Sequence, residues 1–189
     1  WPTPQQRKTA DVIVLYSANP DWNPERAKQV DEFQARGGGL VLLHYAVNGQ
    51  RAPDQWAERI GLAWEGGRSK FRHGPVKLTV HSPDHPLLRH LPSFDFEDES
   101  YWDLVGDPQR VNVLASQVED DRERPILWTY ERGSGRVFVS ILGHYSWTFD
   151  DPVFRTILLR SISWAAHESV DRFRELIPIG TRTKVDARK

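Results

Sequence analysis

Two histidines each follow an apolar, strand-like run. The first ends Gly37-Gly38-Gly39-Leu40-Val41-Leu42-Leu43-His44, and the second follows Arg136 to Leu142 in Gly143-His144. Between them, Phe94 to Asp103 packs five acids among four aromatic residues. Acids alone suit a solvated face, but large rings between them imply partial burial, where a carboxylate needs hydrogen-bonding or ionic partners. Glu99 is the candidate functional carboxylate; the competing reading makes it a structural partner for a nearby arginine. Two imidazoles and a carboxylate suit two kinds of chemistry. His44, His144 and Glu99 can hold a divalent metal such as zinc through neutral ring nitrogens and a carboxylate oxygen, with a position left open. Without metal they serve as general acid and base, because imidazole titrates near neutral pH. Their wide separation in the chain has no diagnostic spacing, so no cofactor is certain from sequence. His44 taken alone also fits a residue that ends a buried strand and bonds to backbone.

The elements that must position these groups follow from pattern. Asp11 to Tyr16 reads as a short buried strand, and Ser17 to Pro24 as the loop leaving it. Asn23 caps a helix with Pro24 at its first position and Glu25 in its first turn; Ala27, Val30, Phe33 and Gln34 mark its inward stripe, and Gly37 stops it. The run to His44 then forms a second strand, parallel to the first across a right-handed helical crossover. Ligands of such sheets bind beyond the carboxyl ends of the strands. Pro53 to Ile60 is a short helix ended by Gly61. Lys70-Phe71-Arg72-His73-Gly74 reads as a basic cluster in a loop, either a solvated turn or part of a ligand site. Val76 to Val80 alternates like a half-exposed strand, and His85 belongs to a turn. Strands follow over Val111–Gln117, Pro125–Tyr130 and Arg136–Leu142, the last two joined by a hairpin at Gly133-Ser134-Gly135. Asp150 or Asp151 caps a final helix with Pro152 at its first position, and Phe154, Ile157, Leu158, Ser161, Ile162 and Ala165 face the core. Val170 to Leu176 suits a further short helix, and Thr181 to Lys189 is polar and frayed.

Composition narrows the partners. A chain of 189 residues suits one domain. Its 25 basic and 26 acidic residues nearly balance, so no overall field recruits nucleic acid or an anionic membrane surface. No apolar run approaches the roughly 20 residues that span a bilayer, so no membrane insertion is expected. The absence of Cys excludes disulfides, thiolate metal sites and a cysteine nucleophile without choosing a compartment. Eight Trp matter because exposed indoles form platforms for sugar rings. A small molecule is the expected partner, and a homo-oligomer is compatible with this composition.

Taken together, Gly37-Gly38-Gly39 through His44, His85-Pro86 with Leu91-Pro92, Asp98-Glu99-Ser100-Tyr101-Trp102, Gly133-Ser134-Gly135-Arg136-Val137-Phe138, and Gly143-His144 followed by Pro152-Val153-Phe154-Arg155 resemble the ThuA-like family, named from trehalose utilisation. Lys70 to Gly74 and His144 to Pro152 are similar to a branch found in large bacterial proteins that process carbohydrate. The resemblance implies an α/β fold like that of class I glutamine amidotransferases: a mostly parallel sheet with helices on both faces, flavodoxin-like layering and an antiparallel hairpin near the C-terminal end. It places a ThuA-like domain over residues 1–167, lacking an N-terminal βα unit, and a C-terminal extension over 168–189. In that comparison His44 falls where an amidotransferase has its nucleophilic cysteine and His144 where it has its catalytic histidine, while Ser146 replaces an expected glutamate. Glutamine hydrolysis is therefore not expected. The implied activity is acid–base or metal-assisted chemistry on a sugar or 3-keto sugar, with a non-catalytic carbohydrate-binding domain as the alternative. Lys70, Arg72 and His73 would bind hydroxyls or a developing oxyanion, and Tyr101, Trp102, Tyr145 and Trp147 would contact the ring. Localisation stays open: periplasmic or secreted if a signal peptide has been removed, cytoplasmic otherwise.

Overall fold

A computed structural model describes residues 1–17, 22–91 and 94–177 of the chain. Helix α1, Pro4–Thr9, opens with a capping box in which Thr3 and Gln6 satisfy each other's backbone N–H groups, and it buries no residue. Strand β1 is Val12–Leu15. Helix α2, Pro24–Ala35, starts where the Asn23 side chain accepts from the Arg26 N–H, and it buries Ala27, Val30, Phe33 and Gln34. All five residues of β2, Gly39–Leu43, are buried. Helix α3, Pro53–Ile60, stops at Gly61, whose φ of 94° suits a residue without a side chain. The strands β3 (Leu62–Ala63), β4 (Lys70–Lys77), β5 (Thr79–Val80), β6 (Asp95–Trp102), β7 (Val105–Gly106), β8 (Asn112–Glu119), β9 (Arg122–Arg132) and β10 (Gly135–Ser140) follow. Helices α4 (Ser146–Asp150) and α5 (Pro152–Ala165) complete the set, with the Asp151 side chain accepting from the Val153 and Phe154 N–H groups.

Among the described residues the main sheet has six strands, in the order β1-β2-β10-β9-β8-β5. It is mixed rather than mostly parallel. Strands β1, β2 and β10 run parallel, whereas β9, β8 and β5 each join antiparallel. For β8, β9 and β10 the cause lies in the connections. A helical crossover can return a chain to a parallel position, but two-residue turns can only reverse it. Such a turn joins β8 to β9 at Asp120 and Asp121, whose φ angles are 51° and 58°, and another joins β9 to β10. Strand β1 is also not fully buried: it forms the sheet edge, with Val14 43% exposed. The basic cluster from Lys70 to Gly74 is not a loop; it opens β4, which pairs antiparallel with β6 along eight residues as a separate two-stranded ribbon. Strands β3 and β7 form a second small pair.

Adjacent residues of an extended strand point to opposite faces, and this locates the helices. A Cβ on Gly38 would strike the Phe33 ring of α2, whereas one on Gly39 would strike the Ala165 carbonyl of α5. Helices α2 and α5 therefore cover opposite faces. Between them the core is filled by large buried side chains such as Trp56, Trp128, Phe138 and Phe154. A buried arginine ties elements together. Arg59 of α3 bonds to Asp31 of α2 at 2.6 Å, and Arg132 of β9 bonds to the other Asp31 oxygen. Beyond α5 the described chain makes only a 3-10 turn, Arg174–Leu176, where a short helix over 170–176 was expected. Residues 18–21 of the first loop, Pro92 of the Leu91-Pro92 pair and the polar stretch from Thr181 lie outside the described residues.

Gly39→Ala is expected to lower stability by about 1–3 kcal/mol through overpacking, because its Cβ would lie 2.2 Å from the Ala165 oxygen. Gly66→Ala, with nothing within 4 Å of its Cβ, is the control; urea unfolding of both measures the difference. Burial raises the Asp31 carboxyl pKa, but bonds and charge from Arg132 and Arg59 outweigh it and hold the group below the usual aspartate range. A depressed folded pKa gives a contribution that is complete above the unfolded value and lost as pH falls through the folded one. The stability gap between wild type and Asp31→Asn should thus narrow as pH drops below about 4, as measured by unfolding at a series of pH values.

Candidate functional site

Strand β2 ends at Leu43, and His44 turns the chain into a 3-10 turn, His44–Val47. Its φ of 54° is left-handed, a conformation that costs energy in a residue with a side chain and tends to mark functional positions. The ring is nevertheless held in one orientation. His44 Nδ1 lies 3.0 Å from the Ile141 carbonyl oxygen, and a carbonyl only accepts, so Nδ1 carries the proton of the neutral ring. Nε2 is left to face Glu99, Tyr101 and His144.

Strand β6 brings the carboxylate. Glu99 Oε2 stands 3.2 Å from His44 Nε2 and 3.0 Å from His144 Nδ1, and the two ring nitrogens are 3.1 Å apart. Tyr101, two residues on and on the same face of β6, places its hydroxyl 2.9 Å from both Glu99 Oε2 and His44 Nε2. Burial raises the Glu99 pKa, yet the contact with His44, the hydrogen bond from Tyr101 and the charge that His44 and His144 carry when protonated prevail and hold it below the usual range. Burial, reinforced by the Glu99 charge, pushes the Tyr101 phenol far above its ordinary value, so it stays protonated and serves as a donor. His44, Glu99 and His144 each offer one ligand-type atom, and these atoms lie within 4.8 Å of one another, an arrangement compatible with a metal site. All three expected central residues thus come together.

The residue that holds them in register was not singled out from sequence. Asp98, fully buried, accepts from the Gly143 N–H at 2.9 Å, the His144 N–H at 2.9 Å, the Thr148 hydroxyl at 2.5 Å and the Glu99 N–H at 2.8 Å. One carboxylate thereby anchors both the Glu99 and the His144 backbone. Its signal was present: alternation in a strand puts Asp98 on the opposite face from Glu99, but only if the segment is recognised as a strand.

The ribbon sorts the other candidates by face. Register pairs His73 with Glu99 and Phe71 with Tyr101, and between them Lys70 with Trp102 and Arg72 with Ser100. His73 lies on the histidine side, with Nε2 3.5 Å from Glu99 Oε1 and Nδ1 3.0 Å from the Tyr145 hydroxyl. Tyr145 stacks on Trp147 at 4.1 Å, and the Trp147 indole N–H donates to the Glu97 carbonyl. Lys70, Arg72 and Trp102 take the other face. Lys70 bonds to Asp120 at 2.7 Å, Arg72 to Glu119 at 2.9 Å, and the buried Trp102 to Asp120 at 2.9 Å. These three are not gathered around the histidines. Tyr45 and Trp64, which sequence reasoning passed over, pack at 6.3 and 4.8 Å from Tyr101. With the exposed Phe71 they make an aromatic cluster that His73 links to Tyr145.

A family model described as "ThuA: Trehalose utilisation" matches residues 3–165. The chain belongs to the ThuA family. A ThuA-like protein of Parabacteroides merdae is 25% identical, with a TM-score of 0.67 over 84% of this chain and 71% of its own. A second, from Bacteroides uniformis, shares the fold at 19% identity and a TM-score of 0.66, over 89% of this chain and 78% of its own. No curated protein matches. In this ThuA-family chain, Asp98→Asn should cost about 1–3 kcal/mol or more, because an amide places two donors against the Gly143 N–H and the Thr148 hydroxyl. Chemical denaturation measures the loss. The His44 and His144 ring resonances should also shift in NMR, which they would not if Asp98 were merely filling space.

Proposed function

We propose that this ThuA-family chain is an enzyme that acts on a sugar or 3-keto sugar through acid–base chemistry at His44, Glu99 and His144. The observation that carries the reading is their convergence: three groups from distant segments of the chain lie within 3.2 Å of one another, beside exposed aromatic rings. A likeness to class I glutamine amidotransferases is the finer reading of the fold. In it His44, at a strand end with left-handed backbone, takes the place of the nucleophile. An imidazole there cannot form a thioester, and Ser146 offers no carboxylate, so Glu99 rather than residue 146 orients His144.

A 3-keto sugar has an acidic C–H beside its carbonyl. His144, the more exposed of the two central histidines, takes that proton; the C–H electron pair forms a C=C bond and the carbonyl oxygen becomes an enolate oxygen. Glu99 stabilises the resulting imidazolium, and the Tyr101 phenol and His44 supply fixed polarity beside the developing charge. Return of that proton to the former carbonyl carbon, with the adjacent hydroxyl proton passing to the former carbonyl oxygen, gives isomerisation. Departure of a glycosidic oxygen from the position beyond gives elimination, with a proton passed to the leaving oxygen. The rings of Tyr145, Trp147 and Phe71 offer apolar faces to the sugar, and His73 a polar contact.

The second reading, carbohydrate binding without turnover, is favoured by the exposure of Tyr45, Phe71 and Trp147, at 38%, 55% and 52%. Mass-spectrometric assay of disaccharides and their 3-keto derivatives separates the two. Under the catalytic reading a keto sugar is converted, and His144→Ala and His44→Ala lower kcat by about 10²–10⁴-fold. Sugars that raise Tm without being converted would decide for the binding reading. Full turnover in both alanine variants would remove the histidines from the chemistry.

A further inference from the structure

We infer that His44 Nε2, His144 Nδ1 and Glu99 Oε2 form a binding site for one divalent first-row transition ion. This deepens the reading of the same residues as one reactive centre and rests on it for its relevance; with an ion bound His144 is a ligand rather than the base, and the site does not need the substrate to be a sugar.

The first argument is geometric. The three atoms form a nearly equilateral triangle with edges of 3.0, 3.1 and 3.2 Å. Around an ion with bonds of about 2.1 Å, adjacent octahedral positions lie about 3.0 Å apart and tetrahedral ones about 3.4 Å. The triangle already fits one face of an octahedron, and a few tenths of an ångström of side-chain movement fit it to tetrahedral zinc.

The second argument is orientation. A metal-binding imidazole is commonly fixed by donating its other nitrogen to a backbone carbonyl or carboxylate. His44 does this through Nδ1 to Ile141, which aims the Nε2 lone pair at the triangle. Glu99 has its outer oxygen beside His73 and receives the Tyr101 hydroxyl, so its inner oxygen is held in place. Asp98 fixes the backbones of Glu99 and His144 together. A donor set this constrained forms the site before any ion arrives.

The third argument is chemical. Two imidazole nitrogens and one carboxylate oxygen are donors that suit zinc, iron or manganese, and no thiolate is required. Lys70 and Arg72 are held on the other face of the ribbon by Asp120 and Glu119, so neither ammonium nor guanidinium occupies the centre. His44 and Glu99 are buried, with side chains 9% and 7% exposed, whereas His144 is 38% exposed. The protein thus covers one side of the triangle and leaves the other open to water or a substrate oxygen, the arrangement of a catalytic rather than a closed structural site. When bound, such an ion polarises a carbonyl or hydroxyl oxygen.

The test uses the full chain stripped with chelator and titrated separately with Zn2+, Mn2+ and Co2+ by calorimetry, with metal content of the untreated protein measured by mass spectrometry. One ion per chain is expected, and His44→Ala and Glu99→Gln should each weaken binding by about 100-fold or more, beyond the cost of losing an outer partner. His81→Ala, which removes a separate imidazole–carboxylate contact with Glu123 at 3.4 Å, should leave the stoichiometry at one. Bound Co2+ should show visible absorption that His44→Ala abolishes, in variants whose circular dichroism matches wild type. No saturable binding by wild type, or binding unchanged in folded His44→Ala and Glu99→Gln, would overturn the site. Metal bound without sugar turnover would fail the sugar reading alone; turnover untouched by chelation would fail the metal alone.

Discussion

A single buried carboxylate holds the centre of this protein together. Asp98 accepts four hydrogen bonds, from the backbone of its own strand, from two consecutive N–H groups beyond β10, and from a hydroxyl of α4. Those donors satisfy a charge that would otherwise be costly to bury. The loop after β10 is thereby fastened to the ribbon strand β6, and that fastening brings His144 to Glu99. The Tyr16 hydroxyl adds a bond to the Gly143 carbonyl at 2.7 Å. Gly143 has a φ of 124°, and a Cβ there would meet the Phe149 ring at 3.2 Å, so the loop follows a path that suits glycine.

The ribbon of β4 and β6 divides the charged residues of the site into two groups. Because side chains alternate along a strand, the cations Lys70 and Arg72 fall on one face and His73, Glu99 and Tyr101 on the other. The cations meet acids at the β8–β9 turn and brace the ribbon against the sheet. The imidazoles and the phenol meet His44 at the end of β2. Packing and chemistry are thus assigned to opposite faces of the same two strands, and the aromatic rings of Trp64 and Phe71 close one side of the chemical face.

Much of the local structure was legible because it is set by nearest neighbours. Asn23 and Pro24 start α2, Asp151 and Pro152 start α5, and the inward stripe of α2 is the one its spacing predicts. The glycine-bounded apolar run ending at His44 is a buried strand parallel to β1. The region from Lys70 to Trp102 was less legible. Its polar residues hide strand alternation, since both faces of the ribbon carry charged groups that find partners only after folding. The Asp120-Asp121 turn lacks the glycine that usually marks such a reversal, and with that reversal unseen the sheet reads as more parallel than it is.

The sequence by itself determined the starts of α2, α3 and α5, the apolar strands, the absence of a cysteine nucleophile and the identity of three groups able to do chemistry. Those are properties of residue type and short-range spacing, which the chain carries before it folds. Only the tertiary structure decided that Glu99 and His144 share one centre with His44, that Tyr101 joins them, and that Lys70, Arg72 and Trp102 do not. The physical reason is that register across β4 and β6, and three of the four bonds to Asp98, act between residues far apart in the chain. No local pattern encodes which face of a strand will meet which neighbour.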